Sequence, residues 1–336
     1  MRPPVDTHAT ASTVCAAKIL GHGVSRGLEP RALLAVAGLS AEQLADAAAR
    51  VPVARVMALW EHVLRALDDA SVPVRVAEST TVEDHGVMGL AILTSKSGED
   101  AFARAVRYGR LFTEAGTWRT RADADEVVVS WISDLPPSLG ARASAECAVG
   151  EFVHAVRLVS GRPFVPARVS FAHAAPRDTA AHARFFGGEV RFGAPFTGFR
   201  CAREALRFAA GAVNPAVGAF ILDHAERMLA RLSDEATLAQ RVRAAVALEL
   251  SAGAVSLPAV ARRLGVGERT LRRHLEQEGR SFRALVDEVR RERARELVAE
   301  RRLTLKEIAF LLGFSEPSAF SRAFKRWTGV APRDAG

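Results

Sequence analysis

Three arginines near the C-terminus, Arg269, Arg272 and Arg273, recur at a spacing that suits one side of an α-helix. At about 100° per residue, Leu271 and Leu275 define the buried side of that helix and leave the arginines on its outer side and flanks. An arginine on such a helix can donate two hydrogen bonds to guanine in the major groove of DNA. The spacing therefore indicates a surface that could read bases.

A second helix of the same kind is predicted further along the chain, closer to the C-terminus. Its inward positions are Phe320, Phe324 and Trp327, and Arg322 then takes the place that Arg273 has in the first helix. Its other outward positions are Ser318, Lys325 and Arg326. A single basic helix is often only a solvated face, but two in the same register favour nucleic-acid binding.

The elements that must position these arginines form a repeat. Residues 260–266 match residues 308–314, and each run ends in a glycine and an apolar residue shortly before the arginine helix. A small alanine in each first helix allows close crossing, and the glycine supplies the turn, which is the pattern of a helix-turn-helix. The sequence predicts two such units, at residues 256–278 and 304–328, with the second turn one residue longer.

Polar residues mark where the helices of this repeat begin. Thr304 and Glu307 form a predicted capping box at the second unit. Ser256 is a predicted N-cap in the first unit, and Ser315 is one ahead of the second arginine helix. Ser281 is predicted to cap a longer helix that joins the two units.

The joining helix sets the separation of the two arginine helices. It is predicted over residues 282–300 and would span roughly 25–28 Å at 1.5 Å per residue. Such a helix could hold two reading helices about one DNA turn apart, roughly 34 Å. The predicted partner is therefore double-stranded DNA, contacted in two adjacent major grooves.

Residues 308–332, together with residues 269–282, resemble the signature of the AraC/XylS family of bacterial transcription regulators. The resemblance implies a DNA-binding regulator, usually an activator, that also contacts RNA polymerase. It implies base contacts by Arg269, Arg272, Arg273, Pro317, Ser318 and Arg322. With their outward neighbours, the candidate DNA-binding residues are Arg269, Thr270, Arg272, Arg273, Gln277, Pro317, Ser318, Arg322, Lys325 and Arg326. Periodicity places Pro317 near the buried side, so the second helix is expected to be the weaker reader.

Composition and charge agree with a two-domain DNA-binding protein. The 336 residues are 49% hydrophobic and 25% charged, with a net charge of +8. Residues 234–336 hold 20 basic and 14 acidic residues, whereas residues 1–233 hold 26 and 24. A basic excess confined to one part of the chain is typical of a surface that meets the phosphate backbone.

Several other classes of protein are not favoured by the sequence. Cys15, Cys147 and Cys201 are far apart, which indicates free thiols in a reducing cytoplasm and neither disulfides nor a metal site. Neither a secretory leader nor a membrane-spanning apolar run is predicted. His173 and His182 match no metal-ligand spacing. Enzyme motifs are also missing, so we predict no catalytic residue, no metal and no cofactor.

The N-terminal two thirds of the chain predict an α+β domain. Apolar periodicity predicts helices at residues 14–20, 30–37, 53–67, 89–94, 102–113 and 141–159. Ser40 and Gln43 form a predicted capping box for a further helix. A hairpin is predicted at 116–121 and 126–133, in a register that sets Trp118 opposite Trp131. Short strands are predicted at 166–173, 190–192 and 196–199.

Residues 20–232 resemble the helical regulatory domain of a subgroup of AraC-type regulators, which includes the ornithine-utilisation and mycobacterial virulence-surface-protein regulators. The resemblance rests on Gly38-Leu39-Ser40, on Tyr108 and on residues 185–195, among others. It implies that this domain senses a small-molecule effector, which the sequence does not identify. The jelly-roll sugar pocket of the arabinose regulator is not expected, because the all-β pattern is missing.

A predicted helix over residues 214–232 carries an apolar stripe just before the predicted linker at 233–237. The stripe consists of Val217, Phe220, Ile221, His224, Met228 and Leu232. It could fill the core of its own domain, or it could present a homodimer surface. The predicted fold is mainly α, with an α+β regulatory domain at 1–232 and an all-α double helix-turn-helix domain at 238–336.

Two functions remain open at the level of sequence. In the first, an effector bound in the N-terminal domain shifts an equilibrium between arrangements that bind DNA and arrangements that do not. In the second, the N-terminal domain only dimerises or contacts RNA polymerase, so DNA occupancy follows protein concentration. Either protein is expected in the cytoplasm.

Overall fold

The computed structural model describes residues 9–46, 48–133, 135–208, 215–234, 238–251, 255–277, 280–300, 303–314 and 316–333. The chain divides into two compact units, one within residues 4–232 and the other within residues 233–336. The first is α+β, and the described part of the second is all helical. The predicted fold class is therefore confirmed.

The first unit contains a five-stranded sheet in the order β3-β4-β7-β5-β6. Its strands are β3 (Thr117–Ala122), β4 (Glu126–Ile132), β5 (Arg168–Phe171), β6 (Glu189–Phe192) and β7 (Thr197–Ala202). The predicted hairpin is confirmed, because β3 and β4 pair with Trp118 opposite Trp131. Two short strands, β1 (Thr10–Ser12) and β2 (Arg50–Pro52), pair apart from this sheet and are not predicted by the sequence pattern.

The described part of the first unit also contains α-helices. They are α1 (Thr13–Ser25), α2 (Pro30–Ala37), α3 (Ala41–Ala45), α4 (Val53–Leu67), α5 (Val72–Glu78), α6 (Gly86–Leu93), α7 (Gly98–Phe112), α8 (Leu139–Ser160), α9 (Ala180–Phe186) and α10 (Pro215–Asp234). Short 3₁₀ helices lie at Glu83–His85 and Arg203–Leu206. The bounds predicted for α2 and α4 are confirmed, as is the capping box of Ser40 and Gln43. Helix α5 is not predicted, because its valines alternate with Pro73 and Arg75 instead of following a helical period.

The apolar stripe on α10 is divided between core and solvent. Ile221, Met228 and Leu232 pack against an apolar cluster of their own unit that includes residues of α6 and α7. Val217 and Phe220 lie on the exposed side, with 48% and 67% of their surface accessible. Helix α10 continues through Asp234, so the predicted linker at 233–237 begins inside a helix, and residues 235–237 lie outside the described residues.

The second unit consists of α11 (Leu238–Ser251), α12 (Leu257–Arg263), α13 (Glu268–Gln277), α14 (Phe282–Glu300), α15 (Leu305–Leu311) and α16 (Pro317–Thr328). It has two apolar cores. Leu285, Val286 and Val289 of α14 belong to the first core, with α11, α12 and α13, whereas Ala294 and Leu297 belong to the second, with α15 and α16. The joining helix therefore has the predicted bounds and takes part in both helix-turn-helix cores.

Candidate nucleic-acid interface

The two helix-turn-helix turns have the same backbone geometry around their glycines. Gly265 and Gly313 both have φ +67°, which lies in the left-handed region that favours glycine. After each glycine, the next N–H donates to a carbonyl five residues back, Val266 to Ala261 at 3.0 Å and Phe314 to Ala309 at 2.9 Å. This is the Schellman arrangement, which satisfies the carbonyls at the end of the first helix.

The turn directs each second helix so that one side is buried in its own core. Leu271 and Leu275 of α13 are buried, as are Phe320 and Phe324 of α16, and this confirms the inward positions predicted from periodicity. Ser256 caps α12, and Thr304 with Glu307 forms the predicted capping box of α15. The N-cap of α16 is Glu316, which makes no side-chain cap hydrogen bond, and Ser315 lies outside the described residues.

The outer face of α13 carries the predicted cationic side chains. Arg269, Arg272, Arg273 and Gln277 are exposed, and Thr270 is half-buried. Within the described part of the chain, none of the three arginines forms an ion pair. Neighbouring arginines behave differently, since Arg263 pairs with Glu249 at 2.7 Å. The guanidinium groups of α13 are thus available to phosphates and bases without breaking an internal pair.

The outer face of α16 is less uniform. Ser318, Arg322 and Lys325 are exposed, whereas Pro317 is half-buried at the start of the helix. Arg326 is held by its own unit, because its guanidinium lies 3.7 Å from the carboxylate of Asp287 and 6.0 Å from the ring of Trp327.

One arginine of α14 stabilises the second turn from outside. Arg290 donates from Nε to the carbonyl oxygen of Leu312 at 2.8 Å and from Nη2 to that of Gly313 at 3.0 Å. Its guanidinium also lies 4.9 Å from the ring centre of Phe314. The sequence repeat does not predict this contact, because Arg290 lies in the joining helix, outside both matching runs.

The first unit contains an apolar cavity of about 110 Å³. Trp118, Trp131 and Phe152 contribute to its aromatic wall. Lys18 of α1, His85 of the first 3₁₀ helix and Glu151 of α8 also line it, together with the thiols of Cys15 and Cys147. A concave apolar space with a few convergent polar groups is the usual form of a small-molecule site.

The charged pair in this cavity is almost fully buried. Burial alone would raise the pKa of Glu151, but the charge of Lys18, followed by His85, holds that pKa well below its ordinary value. Burial alone would likewise lower the pKa of Lys18, and Glu151 raises it instead. Both groups are therefore ionised. Burial raises the pKa of Cys15, which also lines the cavity, to about 12, so this thiol stays protonated.

The sequence does not identify this cavity, although one signal was available. Lys18 is one of only four lysines in a chain of 46 basic residues, and it lies among the apolar residues of α1. A lone cation on the buried side of a helix indicates a partner inside the fold. The identity of that partner could not be read from the sequence.

A second buried carboxylate on α8 brings together His173 and His182. Glu146 lies 2.9 Å from Nε2 of His182 and 3.3 Å from Nε2 of His173. Burial lowers the pKa of His173. In the described ranges, no group of three or more His, Cys, Asp or Glu side chains could hold a metal ion.

Comparisons with known proteins agree with this geometry. Two helix-turn-helix units on one joining helix, each with cations on the outer face of its second helix, define a DNA-binding transcription regulator. A family model described as the arabinose-binding N-terminal domain of AraC transcription regulators matches residues 27–209, and a helix-turn-helix domain model matches residues 260–335. This chain belongs to the AraC family of transcription regulators.

The chain is similar to several regulators over different lengths. It is 29% identical over 259 residues to the ornithine utilization regulator of Pseudomonas aeruginosa, covering 77% of this chain and 76% of that one. It is 34% identical over 189 residues to the regulator VirS of Mycobacterium tuberculosis, covering 56% and 55%. The crystal structure of the transcriptional regulator CdpR from Pseudomonas aeruginosa aligns over 95% of this chain and 97% of that one, at 26% identity and a TM-score of 0.45.

None of the described helices combines the length and the hydropathy needed to span a membrane.

Proposed function

We propose that this regulator binds a specific DNA site in two adjacent major grooves and activates transcription when a small molecule occupies its N-terminal cavity. The exposed arginines of α13, which have no internal carboxylate partner among the described residues, carry the DNA-binding part of this proposal. The apolar cavity of the N-terminal unit carries the effector part.

The proposed contacts divide into base readers and phosphate contacts. Arg269, Arg272 and Arg273 are placed to read bases, with Arg322 as the main reader of the second helix. Pro317 and Ser318 are the weaker base contacts of the second helix, and the phosphate contacts are assigned to Thr270, Gln277, Lys325 and Arg326. Because Arg326 is engaged with Asp287, it would have to leave that pair to reach a phosphate.

Each unit has its own role in the proposed mechanism. Residues 1–232 sense the effector, and residues 238–336 bind DNA. The effector acts by binding one arrangement of the protein more tightly than another, because only a difference in affinity can shift an equilibrium. RNA polymerase is the proposed partner at the promoter, and the cytoplasm is the proposed location.

A second candidate function rests on the exposed side of α10. Val217 and Phe220 form an apolar surface that suits a homodimer contact. In this alternative the N-terminal unit only dimerises or contacts RNA polymerase, and DNA occupancy depends on protein concentration alone.

The experiment that separates the two functions uses the full chain and a panel of metabolites. Thermal melting identifies compounds that stabilise the protein, and each of these is then tested for its effect on DNA affinity at one salt concentration. Ala148 lines the cavity, so Ala148→Leu should abolish the response to an effector while leaving DNA binding in its absence intact. If stabilising compounds leave DNA affinity unchanged, the effector-independent alternative is supported.

A further inference from the structure

The cavity contains a charged cluster that DNA binding does not use. Lys18 and Glu151 form an ion pair, and His85 Nε2 lies 3.5 Å from the other oxygen of the same carboxylate. The three side chains come from three separate elements of the first unit and all line the cavity. Burying charges in this way is costly, so the cluster calls for an explanation beyond packing.

Hydrogen-bond donors remain unused in this cluster. Glu151 Oε1 already accepts from Lys18 and from the hydroxyl of Thr80, the latter at 3.2 Å. The ammonium of Lys18 has three N–H donors, and among the described residues only Glu151 accepts from it. Its other close neighbour is the ring of Phe112, whose centre lies 4.6 Å from Nζ. The side chain of Lys18 can therefore donate to a further acceptor.

His85 lies on the other side of the same carboxylate. Its Nδ1 lies 3.2 Å from the carbonyl oxygen of Thr81, which can only accept, so Nδ1 donates to Thr81 and is not available to a ligand. The donors of this cluster that remain for a ligand are therefore those of Lys18.

The space beside the cluster is small and apolar. Its volume of about 110 Å³ is somewhat below that of a cavity of about 150 Å³ that holds benzene in another protein. The rings of Trp118 and Trp131 lie 4.8 Å apart, and Phe152 lies 4.8 Å from Trp118. These rings suit a compact, flat or branched apolar group better than a polar one.

We propose that the effector is a monocarboxylic acid with a compact apolar body, no larger than a benzene ring. Its carboxylate accepts hydrogen bonds from Lys18, and its body fills the space beside Trp118, Trp131 and Phe152. This inference rests on the proposed effector function, because it names the chemistry of the molecule that the N-terminal unit senses.

The test compares three probes that share one apolar body: benzoate, benzamide and benzylamine. Each is titrated into the full chain, with calorimetry and tryptophan fluorescence as readouts, since Trp118 and Trp131 line the cavity. A charge-assisted hydrogen bond should make benzoate bind at least about tenfold more tightly than benzamide. Benzylamine should bind most weakly, because Lys18 repels it.

Two variants connect this preference to the cluster. Lys18→Met combined with Glu151→Gln removes both charges together, because Lys18→Met alone would leave a buried carboxylate without its partner. In this double variant the preference for benzoate should fall at least about tenfold, while the affinity for benzamide changes little. Ala148→Leu, which reduces the space itself, should weaken the binding of benzoate and benzamide alike.

Failure of this inference can be distinguished from failure of the effector function. Equal or tighter binding of benzamide or benzylamine would overturn the carboxylate assignment, and so would the absence of binding by all three probes. A neutral or cationic metabolite that changes DNA affinity in the panel described above would then preserve the effector function with another ligand class. A benzoate preference that persists in the double variant would show that Lys18 is not the receiving group.

Discussion

The two helix-turn-helix units have the same glycine conformation at their turns and differ in their surfaces. The first helix of the first unit, α12, exposes Arg262 and Arg263, whereas the corresponding positions of α15 are Phe310 and Leu311, with 76% and 46% of their surface accessible. The second helices also differ, because α13 exposes three arginines without an ion-pair partner among the described residues, whereas Arg326 of α16 pairs with Asp287. The two units therefore have apolar residues at the same core positions, and they differ in the residues at their outer positions.

The units also differ in how the joining helix holds them. In the first helix-turn-helix unit, Glu288 of α14 accepts from Arg280 at 2.9 Å and from Arg243 of α11 at 3.3 Å. In the second helix-turn-helix unit, Arg290 donates to the turn carbonyls of Leu312 and Gly313. Ion pairs between helices therefore stabilise the first helix-turn-helix unit. In the second, hydrogen bonds from an arginine side chain stabilise the turn.

The largest expected effect is the loss of stability when a buried side chain is removed from one of the two helix-turn-helix cores. Phe320→Ala should destabilise the second helix-turn-helix unit by about 3–5 kcal/mol, because its side chain is fully buried. Leu271→Ala should destabilise the first helix-turn-helix unit by about 2–5 kcal/mol for the same reason. Hydrogen exchange on each full-length variant checks whether protection is lost mainly in the mutated unit. Equal loss in both units would mean that the cores unfold together through α14.

The next difference concerns base reading. Arg273→Ala should weaken specific DNA binding by about 1–3 kcal/mol and by more than Arg322→Ala, since Arg273 acts beside two other exposed arginines. Titrations on the cognate site and on scrambled DNA, at one salt concentration, measure the specific part. If Arg322→Ala were the more damaging change, α16 would be the main reader.

A smaller difference is expected at the two turn glycines. Gly265→Ala should cost about 1–2 kcal/mol of stability, because an alanine is strained at a left-handed φ. Gly313→Ala should cost about 0.5–1.5 kcal/mol more, because its Cβ would lie 3.2 Å from Nη2 of Arg290 and disturb a hydrogen bond of that side chain. Denaturant unfolding of the two variants gives the comparison. Equal losses would show that Arg290 adapts without cost.

The smallest expected difference is in the salt dependence of DNA binding. Lys325→Ala should reduce the slope of log affinity against log salt by about 0.9, because one phosphate contact is lost. Arg326→Ala should change it less, since this side chain is partly engaged with Asp287. Binding isotherms at four salt concentrations measure both slopes, and a larger change for Arg326→Ala would reverse the assignment.

The amino-acid sequence by itself determined the elements that depend on local signals. The bounds of α14, the capping boxes at Ser40 and Thr304 and the pairing of Trp118 with Trp131 all follow from residues close together in the chain. Capping, turn chemistry and periodicity act over a few residues, so they can be read without knowing the fold.

Which side chains meet inside the N-terminal unit depends on the tertiary structure. The pairing of β1 with β2, the division of α10 between core and solvent, and the cluster of Lys18, His85 and Glu151 all join distant segments. Lys18 and Glu151 are 133 residues apart, so the local pattern around either residue does not identify the other. Their interaction becomes strong only after both have left water, and that removal from water depends on the packing of the whole unit.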